Sequence, residues 1–162
     1  MPASSVKISV EEKTKQQLAD LKKRYEAASK QIRQMNDPHA RIAAFLDGWV
    51  QRNFKTEGKK VGGWKPFKAG GRRLKNGSFD GSAKLLQDTG RLKFSFIPFH
   101  NKKDAGIGSD LPYSEFHEKG KGVPKRRMLP VFGEVKSDID KIYKGFVNEV
   151  VDKNKIGDGK VK

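Results

Sequence analysis

Ile42, Phe45, Leu46, Trp49, Val50 and Phe54 stand at positions i, i+3, i+4, i+7, i+8 and i+12 of one stretch. That spacing puts six large apolar side chains on a single stripe of a helix, broad enough to form one wall of a core. The preceding Asn36–Asp37–Pro38 reads as a helix start, with Asp37 as N-cap for the first free amides and Pro38 at the first helical position. Gly48 costs helicity and is expected to mark a close approach of another helix. A wall of this kind requires other elements to close on it.

Two further segments offer themselves. Ile139, Ile142, Tyr143, Phe146, Val147, Val150 and Val151 follow a period near 3.6, which predicts a C-terminal helix with Ser137 as N-cap. Leu18, Leu21, Tyr25 and Ala28 mark a helix over Glu11 to Ser29 whose stripe is expected to face the core. Before it, Val6, Ile8 and Val10 alternate with Lys7 and Ser9, the pattern of a short strand.

Between the helices the periodicity vanishes. Glycines and basic residues fill positions 58–82, a loop of a length that compact domains seldom carry without function. Trp64, Phe67 and Phe79 interrupt it; aromatics in a basic loop either stack on bases or pin the loop to its own domain or a neighbouring subunit. The stretch SAKLLQDTG then reads as a short helix begun by Ser82 and ended near Gly90. LKFSFIPF reads as a strand with Leu92, Phe94 and Phe96 on its buried side, and Pro98 pushes it toward a sheet edge. A turn at Asn101 to Asp104 and a return through Ile107 complete a hairpin. Tyr113, Phe116 and His117 share one side of a short helix that Gly120 terminates. The alternation in GVPKRRMLPVF suggests a last strand. The total is an α+β domain over residues 1–153, a small antiparallel sheet packed by two or three long helices, with a flexible tail at 154–162.

Composition narrows the chemistry. The chain has 162 residues, no cysteine and a formal net charge of +16. Without cysteine there are no disulfides, thiolate metal sites or thiol nucleophiles, which fits a reducing compartment. No apolar run of membrane-spanning length occurs, and Met1 to Val10 lacks the apolar region of a secretory signal, so a cytosolic site of synthesis and folding is expected. Residues 58–130 hold +11 of the net charge. A concentration of that size attracts polyanions, or it simply solvates the surface. Arg72, Arg73, Lys75, Arg126 and Arg127 are the candidate nucleic-acid contacts.

Catalytic signatures are sparse. His39, His100 and His117 lack a second ligand at metal spacing. GGWKPFKAGGRR has neither the lysine placement nor the preceding strand of a phosphate loop, and no GxSxG occurs. Asp80, Asp88, Asp104 and Asp110 could gather Mg²⁺ in a nuclease, but nothing in their spacing requires it.

Five stretches in fixed order carry a resemblance: RNF (Arg52 to Phe54), GWKPF (Gly63 to Phe67), LLQDTGRLKFSF (Leu85 to Phe96), GIGSDLPYSEFHEKG (Gly106 to Gly120) and VPKRRMLPVF (Val123 to Phe132). Together they resemble the phage virion morphogenesis family, which includes the tail-completion proteins of Mu-like and related contractile-tailed phages. The chain departs from the family pattern at Phe67, Ser114, Glu118 and Met128, where members often carry Leu, Ala, Gln and Phe; the N-terminal helix lies outside the match. The resemblance implies a non-enzymatic virion protein of the head–tail junction, without cofactor or metal and assembled in the host cytoplasm. It implies a homo-oligomeric ring, often a hexamer, capping the tail tube, with tube and sheath proteins on one side, neck or connector proteins on the other, and DNA passing through. On that reading, Trp64, Phe67, Arg72, Arg73, Phe79, Ile97 and Phe99 are the subunit or partner contact candidates. The alternative is an independent basic nucleic-acid-binding module.

Overall fold

The computed structural model describes residues 3–157, with side chains described from Glu12 onward. The wall that the spacing predicts is helix α2 (Asn36–Lys55), which buries Ile42, Leu46, Trp49, Val50 and Phe54. Helix α5 (Phe132–Lys153) packs beside it and adds Val135 to the same cluster, with Ile139, Ile142 and Tyr143 at the edge. Strands β3 (Phe96–His100) and β4 (Ala105–Ser109) form an antiparallel hairpin, Phe96 opposite Ser109 and His100 opposite Ala105, laid across α2. The Phe54 ring sits at the junction, 5.2 Å from Trp64 in an edge-on arrangement and 5.8 Å from Phe96. Asn101 closes the hairpin: its Oδ1 accepts from the N–H groups of Lys103 and Asp104 at 2.7 and 2.9 Å. A second, minimal hairpin pairs β1 (Arg72–Arg73) with β2 (Phe79–Asp80). The fold is α+β, with two separate two-stranded antiparallel sheets against long helices.

Helix α1 (Ala3–Arg33) runs straight through Val6, Ile8 and Val10, where alternation suggests a strand. So short a strand needs a neighbour for its ladder, whereas a helix satisfies its backbone internally. The apolar stripe of α1 is real, but only its end is covered. Ala28 is 4% exposed and packs on Phe146 and Val150 of α5, whereas Leu18, Leu21 and Tyr25 are 62%, 44% and 55% exposed. Past α5, Ile156 packs into the same small cluster and Asn154 donates to Gln31 and to the Val150 carbonyl. The chain at 154–156 is therefore tied down, contrary to a tail starting at 154; residues 158–162 lie outside the described residues.

Three helix starts differ from the expected caps. α2 begins at Asn36 with no side-chain cap, and the Asp37 carboxylate instead takes Arg41 one turn on, at 3.0 Å. α5 begins at Phe132, well before Ser137, because the Glu134 carboxylate accepts the Val131 N–H at 3.1 Å. SAKLLQDTG is not helical. Its middle is tied to the end of α2 and the turn beyond it: the Glu57 carboxylate accepts the Leu85 N–H and the Gln87 amide donates to the Phe54 carbonyl. The helical turn comes later, at α3 (Arg91–Phe94), entered through Gly90 at φ +73°. In that turn Leu92, Ser95 and Phe96 fall inward at helical spacing, and Phe94, expected on a buried strand face, is 72% exposed. Gly48 faces no neighbouring helix; a Cβ there meets only the Arg52 guanidinium, at 3.2 Å. Helix α4 (Pro112–Lys119) ends as its sequence predicts, at Gly120 with φ +77°.

Candidate assembly surface

The segment Val123–Pro130 has no regular secondary structure and pairs with no strand among the described residues, so the expected last strand is absent. Side chains from three elements do the work of a neighbouring strand. Asn53, fully buried on α2, donates its amide to the carbonyls of Arg127 and Met128 at 3.0 and 3.2 Å. The Trp64 indole N–H donates to the Arg127 carbonyl at 2.9 Å. The Glu118 carboxylate at the end of α4 accepts the N–H groups of Met128 and Leu129. Only one backbone bond joins in, from the Arg126 N–H to the His117 carbonyl at 2.8 Å. Buried backbone must find partners, and here polar side chains supply them at fixed points while Met128, 1% exposed, fills the core.

This joint absorbs two of the basic residues assigned to nucleic acid. Arg126 is buried and donates through Nε and Nη2 to the Lys65 carbonyl, and burial lowers its proton affinity. Arg127 grips the Glu134 carboxylate with both Nη atoms. Their hydrogen bond raises the arginine and holds Glu134 below the usual carboxylate range. His117 is pushed down by burial and secondarily by Arg126. Arg72 in β1 pairs with Asp80 and Asp88. Arg73 and Lys75 are exposed, so of the five basic candidates three are engaged by partners within the chain.

The contact candidates divide in the same way. Trp64 is 6% exposed and Phe67 packs against the main cluster, so both pin the loop to its own domain. Phe79, Ile97 and Phe99 are 51%, 59% and 53% exposed. Ile97 and Phe99 share one face of β3, and Phe99 lies over Gly106, where a Cβ would stand 2.5 Å from the ring. Residue reasoning missed Asn53 and Glu118; the signal for Asn53 is a polar residue inside the apolar stripe of α2. It also missed the exposure of Leu18, Leu21, Tyr25 and Phe132.

An open groove of about 610 Å³ lies between α2, the β3–β4 turn and the first half of α5. Ile42, Leu46, Ile107, Val135 and Ile139 make its apolar floor, and Lys103, Asp104 and Asp140 stand in its wall. His39 is buried at its end, with Nδ1 at 2.7 Å from the Asn101 carbonyl and Nε2 at 3.0 Å from the Tyr143 hydroxyl.

Asp80 accepts from the Ser82 N–H and hydroxyl, which lowers its pKa. Among the described residues no group of three or more His, Asp or Glu is placed to hold a metal ion, and no helix is long and apolar enough to cross a membrane. What the geometry offers is surface: uncovered apolar side chains on α1, β3 and the start of α5, carried by a core tied through buried polar side chains. No family model, curated protein or solved structure matches the chain.

Proposed function

We propose that the chain is a structural subunit of the head–tail junction of a contractile-tailed phage, a tail-completion or tail-terminator protein. Copies form a ring, in the family's manner a hexamer, that closes the tail tube and presents its other face to the neck. The subunit is a component of the virion, put together in the host cytoplasm, and performs no catalysis. The observation that carries this reading is the apolar surface that the folded monomer leaves uncovered, with Leu18, Tyr25, Ile97, Phe99 and Phe132 each more than half exposed. Several such side chains on one small domain favour a protein that is finished by assembly. The residues behind the family resemblance support it in a second way. Asn53, Trp64, Glu118 and Met128 come from four of the five quoted stretches and meet at one joint, so the resemblance lies in the scaffold that positions the exposed hairpin and helices. The independent nucleic-acid module has less support, because Arg126 and Arg127 are spent on the joint and Arg72 on two aspartates.

Negative-stain microscopy and light scattering of the purified chain, alone and mixed with tail tubes, test the proposal. Closed rings that seat on tube ends are expected. A protein that stays monomeric and leaves tube ends bare would overturn it.

A further inference from the structure

From Lys59 to Lys93 the chain holds ten lysines and arginines and two acids, Asp80 and Asp88. Both acids lie on the same cation, Arg72. The other nine cations of the stretch have no carboxylate partner among the described residues, whereas α1, α4 and α5 pair lysines with carboxylates one turn away. The excess charge is therefore not answered within the chain.

Part of it is gathered around one depression. A pocket of about 210 Å³ opens beside the turn at Asp88 to Arg91, where Phe67, Leu86 and Leu92 supply the apolar lining and Arg72, Lys84 and Arg91 the cations. Asp88 is in the same lining but is already on Arg72, which leaves exposed Lys84 and Arg91 unanswered. Phe94, 72% exposed, carries the apolar surface outward from the pocket. Its ring lies against Gly90, where a Cβ would stand 2.9 Å away, and the Lys93 Nζ sits 5.3 Å from its centroid. Leu86 is held at φ +58°, which residues with a side chain seldom adopt. The bonds of its neighbours Leu85 and Gln87 to Glu57 and the Phe54 carbonyl fix it there, so the lining is shaped before any partner arrives.

Size and charge together select the occupant. Pockets for drug-sized or cofactor-sized molecules run from about 300 to 1,000 Å³, so this one suits a single side chain. A phosphate backbone would use the cations and leave Phe67, Leu86 and Leu92 without a partner. A second copy would bring a net charge of +16 against the same cations. A segment whose apolar side chain is flanked by carboxylates uses both halves of the lining.

We propose that this pocket receives an acidic segment of a different protein, with an apolar anchor seated on Leu86 and Leu92 and its flanking carboxylates on Lys84 and Arg91. The anchor carries most of the affinity, because exposed ion pairs contribute little. The charges exclude wrong partners and speed the encounter. The inference rests on the assembly role proposed above and gives the chemistry of one neighbour in that assembly.

Fluorescence anisotropy of a dye-labelled peptide, Glu-Glu-Leu-Glu-Glu capped at both ends, tests the pocket at about 0.15 M salt. Binding is expected, and Ser in place of the peptide's Leu should weaken it about tenfold, the loss of one buried anchor. Lys84→Glu with Arg91→Glu should weaken it at least as much. Lys15→Glu with Lys30→Glu makes the same change of net charge at exposed positions of α1 and should leave it unchanged. Equal losses from the two pairs, or equal binding of the Leu and Ser peptides, would overturn the pocket in favour of charge alone. Single-stranded DNA that displaces the peptide at lower concentration than the unlabelled peptide itself would overturn the acidic partner in favour of a phosphate backbone. A chain that forms rings but does not bind the peptide overturns this inference and leaves the assembly role standing. A chain that binds the peptide and never forms rings supports the pocket and overturns that role.

Discussion

Asn53 shows how one polar residue can hold a segment that lacks sheet partners. It sits in the stripe of α2, fully buried, and reaches two carbonyls of the irregular Val123–Pro130 segment. Asn53→Ala takes a donor from both carbonyls, leaving Arg127's with the Trp64 indole alone, and opens a small cavity, so a loss of about 1–3 kcal/mol in urea unfolding is expected. An unchanged midpoint would show that the joint does not depend on it. His117 adds a pH dependence at the same joint. Burial and then Arg126 lower its proton affinity in the fold, whereas the unfolded chain takes up that proton near pH 6.5, roughly the free-histidine value. The sign follows: the unfolded state binds more protons below that pH, so stability is full above it and falls as pH drops toward the folded value. His117→Gln removes the titration, and a plot of melting temperature from about pH 7 to about pH 5 should be flatter than for the parent chain. Parallel plots would mean that His117 is as free to protonate as in the unfolded chain.

At the scale of elements, α1 separates helical pattern from burial. Its packed end should protect backbone amides, and its bare half is held only by its own helical bonds, which are marginal without tertiary support. In dilute solution, amides of residues 12–23 should therefore exchange faster than those of residues 28–33. Leu18→Ser should shift stability by no more than about 0.5 kcal/mol, the range for surface changes, whereas Ala28→Glu should undock α1 from α5. Slow exchange throughout α1 in a verified monomer would contradict this. The same contrast explains which elements were legible beforehand. α2 and α5 bury one stripe each at a period near 3.6, and the β3–β4 turn rests on Asn101 at a local spacing, so periodicity and turn chemistry reach them directly. The stripe of α1 has the same spacing, but whether a neighbour extends far enough to cover it depends on where α5 ends. SAKLLQDTG and GVPKRRMLPVF failed because what holds them is distant in sequence: the Glu57 carboxylate and the Phe54 carbonyl for one, the side chains of Asn53, Trp64 and Glu118 for the other. Local propensity carries no trace of such partners. The exposed members of the contact set, Phe79, Ile97 and Phe99, were legible as large apolar residues in loop or edge positions, while Trp64 and Phe67 have the same composition and turn inward.

At the scale of the molecule, charge and apolar surface pull association in opposite directions. Each copy carries a net +16, so copies that meet through apolar side chains do so against mutual repulsion. Added salt shortens the range of that repulsion from about 10 Å at 0.1 M to about 3 Å at 1 M, while the apolar contact persists. The few lysine–aspartate pairs at a rim lose little, because exposed pairs contribute only about 0–1 kcal/mol. Self-association of the purified chain should therefore strengthen with sodium chloride, and the average mass from light scattering at fixed protein concentration should rise between 50 mM and 500 mM, roughly one decade of ionic strength. Assembly bridged by a polyanion has the opposite sign: phosphate contacts release counterions, and each one makes binding weaken as salt rises. Measured with and without added duplex DNA, the two slopes separate a ring held by its own apolar faces from particles gathered on nucleic acid. A mass that falls with salt and rises with DNA would move the basic residues 58–130 from solvating a subunit to gripping a phosphate backbone, and would return Arg73 and Lys75, the two candidates left exposed, to the centre of the function.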